Sequence, residues 1–487
     1  MFSEEDIKRA VKYVRQDVSD DFWPDVLNYS DFFDDIDWCK DIDFDNYQPN
    51  ESNYVDVPKP TMILRPGHYL ELADRIYFQL VINKFAGEVD KQFTEPDVNF
   101  GYRISPKPSK FLHEGIQAWT KFRGKDDELF VAAEGQGVLL KTDISAYFEH
   151  IKVSKLMEIL SNLGVDSTLL GKLELLLNRW SEDGIGIPQG NNCSSFMANA
   201  YLDEIDKVMI AEGYIYYRFV DDMRIYASDE ATVRAAVQRL TQLFRPLNLH
   251  LNSGKTKLID FEQHTQDLNE HKDLMEAVNY VLYFEDFPDN IVVDESLQEI
   301  WKDTVTQKYI DKTKFRYCVI RFNKIQSEFP LEDILKHDLY DPSSIDYVAR
   351  YLEEYIDRKH VQEAVIKRYE SSTYEYELVY LLKLILKSTK LHFDLSRISK
   401  KDIYATNNLL LIGFYYLVAA KFGTQADRAL LTADFKKHFR TNKMISRYYL
   451  LTLTFFPKPA EEIVKLLNTH AYLEPTAKYL AKKKYKI

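Results

Sequence analysis

Residues 216 to 226, Tyr-Tyr-Arg-Phe-Val-Asp-Asp-Met-Arg-Ile-Tyr, place two adjacent carboxylates, Asp221 and Asp222, between two runs with strand-like alternation. Val220, Ile225 and Tyr226 are strand formers and Asp is a favoured turn residue, so the segment predicts a tight hairpin with two acids at its tip. A second β-rich run, Gly-Val-Leu-Leu-Lys-Thr-Asp at 137 to 143, ends on a third acid, Asp143. Between the two lies a turn, Pro188-Gln189-Gly190. An acid pair between strands is by itself an ordinary solvated turn. Its combination with Asp143 and the intervening turn narrows what the chain can fold into.

Carboxylates brought in by neighbouring strands suit a hard divalent cation. Mg²⁺ takes one or two carboxylates together with water and substrate phosphates, and two such ions roughly 4 Å apart serve in-line phosphoryl transfer. Asp143 and Asp221 are the expected bridging ligands. Asp222 joins them only if the turn redirects it, because successive strand residues face opposite sides. Ile144, next to Asp143, completes the candidate metal set, with Mg²⁺ as the expected cofactor and Mn²⁺ as its substitute.

These residues resemble the reverse transcriptases, and more broadly the right-hand polymerases. Asp-Ile-Ser-Ala-Tyr-Phe at 143 to 148 is similar to the first palm motif of that family, and Gly-Ile-Pro-Gln-Gly through Ala198, Asn199, Tyr201 and Leu202 to its second. Arg-Phe-Val-Asp-Asp resembles the third motif, and Leu-Asn-Leu-His-Leu-Asn-Ser-Gly-Lys-Thr-Lys at 247 to 257 the fourth. Upstream, Phe-Gly-Tyr-Arg at 100 to 103 with His113, Glu114, Ile116 and Gln117, and Arg65 with Leu72-Ala73-Asp74-Arg75, resemble fingers segments. The likeness covers about positions 60 to 260.

The resemblance implies roles. Asp143, Asp221 and Asp222 would be catalytic, and Phe148 would close over the sugar's 2′ position and select dNTPs, with a core Phe as the alternative. Gln189 and Gly190 would lie against the template and incoming base, where close backbone approach tolerates no Cβ. Lys255 would protonate the leaving pyrophosphate or be a solvated loop lysine. Arg65 would grip the triphosphate, in competition with Lys59 and Arg75, since Arg suits phosphate. Phe219 stands where most of the family has Tyr, Val220 where Ala or Met is common, and Asn191-Asn192 where Ser-Pro is usual; these departures bear on templating more than on metal binding.

The implied fold class is α+β: 60–136 as fingers and 137–261 as an antiparallel palm with helices, with 262–310 as a thumb or connector and 311–487 as a helical, repeat-like domain. Helix-length segments at 345–357, 360–369, 375–387, 409–422, 426–439 and 445–455 read as stacked hairpins without a strict period. The 12-residue apolar run Leu409–Ala420 is too short to span a bilayer, which takes about 20 residues, and reads as a buried helix.

The net charge of −13 is not the basic balance of a protein that binds nucleic acid through the backbone alone. Much of the acid lies in an arm, 1–59, dense in Asp and interleaved with Phe22, Trp23, Phe32, Phe33, Trp38 and Tyr47. That arm reads as solvated with docked aromatics, or as a contact for a basic surface on another protomer, or as a nucleic-acid mimic over the cleft. Cys39, Cys193 and Cys318 are too scattered for a disulfide framework or zinc site, and the opening Met-Phe-Ser-Glu-Glu-Asp does not read as a signal peptide. A cytoplasmic location with no membrane partner is expected.

The helical C-terminal region gives a layout that looks like the bacterial defence-associated, abortive-infection type of reverse transcriptase. That likeness implies dNTPs, a nucleic-acid template or noncoding RNA, priming from nucleic acid or a protein hydroxyl, and a homo-oligomer. A retron-like or intron-like enzyme copying a structured RNA, and an RNA-binding scaffold that has lost turnover, are the alternatives.

Overall fold

A computed structural model describes residues 2–18, 23–59, 63–266, 290–307, 310–336, 339–399 and 406–487. Most of the expected thumb or connector, and Phe22 of the arm, lie outside the described residues. The chain divides into two compact units. The first comprises Met1–Asp21, Cys39–Ser52 and Leu70–Lys272, the second Phe22–Trp38, Asn53–Tyr69 and Asp273–Ile487.

The first unit is built on a four-stranded antiparallel sheet in the order β4-β5-β3-β6, with β3 at Val138–Thr142, β4 at Ile215–Phe219, β5 at Asp222–Ala227 and β6 at Lys257–Ile259. β3 and β5 take the two central places because their residues are buried on both faces, Leu139, Leu140, Met223 and Ile225 among them. The register pairs Thr142 with Met223 and Phe219 with Asp222. The end of β3 therefore comes level with the β4–β5 turn. The helix Glu230–Phe244 packs on β3 and β5, and the helices Gly115–Ala132 and Asn192–Ala211 pack on β4.

Polar caps set where these helices begin. Asp166, Asn191 and Asp229 accept backbone N–H bonds at the starts of Ser167–Trp180, Asn192–Ala211 and Glu230–Phe244, satisfying donors that the first helical turn leaves open. The N-terminal helix Glu4–Asp17 starts with a reciprocal box between Ser3 and Asp6. At its other end the Asp17 carboxylate takes Arg75 at 3.1 Å and the backbone N–H of Asn192 at 3.0 Å. Tyr47 packs on Tyr77 at 4.9 Å and donates to Asp74 at 2.9 Å.

The second unit is predominantly helical, with a two-stranded hairpin of β1 at Asn53–Pro58 and β2 at Leu64–Tyr69. The expected helices are present at Ile345–Leu352, Lys359–Ser371, Glu375–Lys387, Leu409–Phe422, Gln425–Asp434 and Lys443–Thr452. Leu409–Phe422 is a core helix, and among the described residues no helix is long and apolar enough to cross a membrane. The three cysteines are free and buried. Arg447 is buried between the carboxylates of Asp25 and Asp31, with Nη1 of Arg447 2.5 Å from Asp25 and Nη2 2.8 Å from Asp31. Thr476 donates to Asp31 at 2.7 Å, so the acids of this stretch of the arm serve as counterions inside the helical unit.

Candidate active site

Asp143 follows β3 directly. Its carbonyl accepts from the Asn252 N–H at 2.8 Å, and Ile144 bridges to Leu251, so the strand's end is clasped by the segment before β6. That segment is a tight loop. Asn252 accepts from Gly254 and Lys255, and Thr256 Oγ1 lies 2.7 Å from Thr142 Oγ1. The loop delivers the Lys255 ammonium to Asp143 Oδ2 at 2.5 Å, while Asp143 Oδ1 is buried without a hydrogen-bond partner.

The hairpin tip is a two-residue turn, Val220-Asp221. Val220 sits at φ 60°, a left-handed conformation that a β-branched residue adopts at a cost of order 1–3 kcal/mol. Two neighbours hold it there. Arg218, fully buried, donates to the Val220 carbonyl at 3.2 Å, chelates Asp206 through Nε and Nη2 at 2.8 and 2.7 Å, and reaches Asn199 Oδ1 at 2.8 Å. Gly101 lies beneath the turn, where an added Cβ would come within 2.9 Å of the Val220 nitrogen. The carbonyl of Gly101 accepts from Asn199 Nδ2 at 2.9 Å.

Burial pushes the Asp221 carboxyl up to about 6, with the nearby charges of Asp222 and Asp143 adding to the rise and Lys255 opposing it. Asp222 has a cationic partner of its own. Its Oδ1 accepts from Arg224 Nη1 at 3.1 Å, and Arg224 is also 3.5 Å from the buried Asp126, to which Tyr217 donates at 2.7 Å. Lys255 is held protonated above its usual range, chiefly by its hydrogen bond to Asp143.

Among the described residues, no three His, Cys, Asp or Glu side chains converge into a ready-made metal cluster. Lys255 instead occupies one oxygen of Asp143, and Arg224 one oxygen of Asp222. Two observations still fit a divalent ion: a buried carboxylate oxygen of Asp143 with no donor, and an Asp221 whose ionised form is disfavoured by burial and by like charges that a cation would neutralise. Asp143 and Asp221 suffice for Mg²⁺, which needs only one or two carboxylates.

The remaining sequence candidates fall in three places. Phe148 is buried in the short helix Tyr147–His150, and its carbonyl accepts from Ile187 at 3.0 Å, which ties it to the turn carrying Gln189 and Gly190. Gly190 takes φ 98°, and Asn191 Nδ2 closes the turn onto the Pro188 carbonyl at 3.0 Å. Phe219 packs edge-on against Trp119 at 5.1 Å. Arg65 lies on β2 and belongs to the second unit.

The residues that support the site were not assigned roles from sequence. Asn199 and Asp206 are seven positions apart and share one face of a helix that is otherwise largely apolar there; buried polar groups at helical spacing were the signal.

No curated protein matches this chain. Among solved structures it is similar to telomerase from Candida albicans in complex with a TWJ fragment of telomeric RNA, at 11% identity and TM-score 0.33 over 70% of this chain and 66% of that one. Apo telomerase from Candida tropicalis gives 11% and 0.32 over 87% and 68%, and a Cas6-RT-Cas1–Cas2 complex 12% and 0.28 over 94% and 66%. The chain thus spans about two thirds of the length of the chains it resembles. A family model described as reverse transcriptase (RNA-dependent DNA polymerase) matches residues 120–317, a stretch containing β3, the acid hairpin and the Lys255 loop. The chain carries a reverse transcriptase domain.

Proposed function

We propose that this chain is a DNA polymerase of the reverse transcriptase type that adds dNTPs to a DNA or protein primer. The observation that carries the reading is the electrostatic coupling of Asp143 and Asp221, with a bare buried oxygen on the first and a raised carboxyl on the second. Asp143 and Asp221 would hold Mg²⁺, which when bound supplies charge stabilisation for phosphoryl transfer. Asp222, paired with Arg224, ties the start of β5 to that side chain. Lys255 keeps its proton beside Asp143, in position to donate it as the leaving phosphate develops charge. Phe148 and the Gln189-Gly190 turn, tied together through Ile187, would shape the nucleotide and template side.

A role in bacterial antiphage defence rests on the likeness in layout, a reverse transcriptase core followed by stacked helices, and on no contact within the site. Incubating the purified chain with Mg²⁺, labelled dNTPs and primed or unprimed templates tests the activity. Labelled polymer is expected from the wild type and none from Asp221→Asn; product from that variant would refute the assignment of the acids. Phe148→Ala is expected to admit ribonucleotides, and unchanged sugar selection would remove the gate role.

A further inference from the structure

The helix Lys312–Lys324 reads Lys-Thr-Lys-Phe-Arg-Tyr-Cys-Val-Ile-Arg-Phe-Asn-Lys: five basic residues and no acid, in a chain of net charge −13. Its buried stripe, Phe315, Cys318, Val319 and Phe322, faces the core of the second unit. Among the described residues none of the five cations forms an ion pair. Lys312 donates to Ser343 Oγ at 2.5 Å, and Arg316, one turn on, binds the carbonyl of the same serine and Ser344 Oγ at 3.3 Å. Like charges at this spacing repel; the hydrogen bonds of both go to neutral oxygens, while the charge of Arg316 also acts on the Asp346 carboxylate. Arg65 of β2 adds its field to theirs, and burial together with the Arg316 and Arg65 charges pushes Lys312 down to about 8, against the opposing pull of Asp341 and Asp346.

Two of the arginines lie on rings. Arg316 is 4.7 Å from the Tyr347 centroid and Arg321 3.6 Å from that of Tyr317, both arginines half-exposed. A guanidinium over a ring can also meet a base while its N–H groups reach phosphate. An acidic peptide would use the charges but brings no base.

We infer that the helix Lys312–Lys324, with Arg65, is a surface of the second unit that binds the sugar-phosphate backbone of single-stranded nucleic acid. The cations neutralise phosphates and the arginine side chains receive bases. The polymerase reading enters only in naming the polyanion.

The test uses the full chain with fluorescein-labelled oligo(dT) in EDTA without dNTPs, so that binding is read apart from synthesis. Neutralising one phosphate of a single strand contributes about 0.7 to the slope of log K against log salt. The triple variant Arg65→Gln, Lys312→Gln, Arg316→Gln is expected to flatten that slope by about 2, and Lys312→Arg with Arg316→Lys to retain it. Because Arg316 also holds the Ser343 carbonyl, the wild type supplies a second measurement: oligo(dT) is expected to protect Lys312 and Lys314 from amine acetylation, read by mass spectrometry. An unchanged slope in a folded triple variant, absence of protection, or equal affinity for polyglutamate would overturn the inference. Protection in a chain without synthesis would sink the proposed activity and leave this surface standing; synthesis without protection would do the reverse.

Discussion

Arg218 offers the sharpest test of how the acid hairpin is held. Its guanidinium and the Asp206 carboxylate are both fully buried, joined by two bonds of 2.8 and 2.7 Å, and the same group donates to Asn199 and to the carbonyl of the left-handed Val220. Arg218→Met keeps much of the volume but strands Asp206 in the interior, a change that costs about 3–5 kcal/mol. That is a large share of the roughly 5–15 kcal/mol that keeps a domain folded. Pairing it with Asp206→Leu removes the stranded charge and should recover much of the loss, as the non-additivity of a double-mutant cycle. Because the chain has two units, a single melting curve would mix them, and hydrogen exchange of peptides covering β4 and β5 reports the local opening energy. Arg218→Met should raise exchange there by orders of magnitude and abolish polymer synthesis, while the double variant regains protection but not synthesis, since Val220 still lacks its donor. Native protection in the single variant would refute the account of the turn.

The raised carboxyl of Asp221 predicts a pH effect with a definite sign. Its folded value of about 6 exceeds the ordinary 3.8, so between these values the native state binds more protons than the unfolded one, and metal-free stability falls as pH rises through that window. The shift corresponds to about 3 kcal/mol; Asp221→Asn should be more stable than wild type at neutral pH in EDTA, measured by exchange at the hairpin, and equal stability would contradict it. Because proton and metal compete for Asp221, synthesis by the wild type at limiting Mg²⁺ should decline as pH falls through about 6, and raising Mg²⁺ should move that decline to lower pH; a profile that does not shift with Mg²⁺ would contradict it. Gly101→Ala puts a Cβ within 2.9 Å of the Val220 backbone and should cut turnover severely while leaving the helical unit's exchange untouched. Arg447→Met should cost the second unit about 3–5 kcal/mol by stranding Asp25 and Asp31, seen as lost protection in the helix Lys443–Thr452.

The local elements and the identity of the acids were legible in the order of residues. The alternation around Asp221 and Asp222 became the β4–β5 hairpin, Glu375–Lys387 and Leu409–Phe422 appear with the bounds their periodicity implied, and Asp143 stands at the end of its strand. These follow from forces between near neighbours, namely turn preference, side-chain period and helix capping. Which charges compensate which came from the folded chain. It divided the acidic arm between two units, set Asp25 and Asp31 against Arg447 more than 400 positions away, and put Arg65 in the field of Lys312. A buried charge is tolerable only beside an opposite one, and that partner is supplied by chain topology, which no local pattern of residues records.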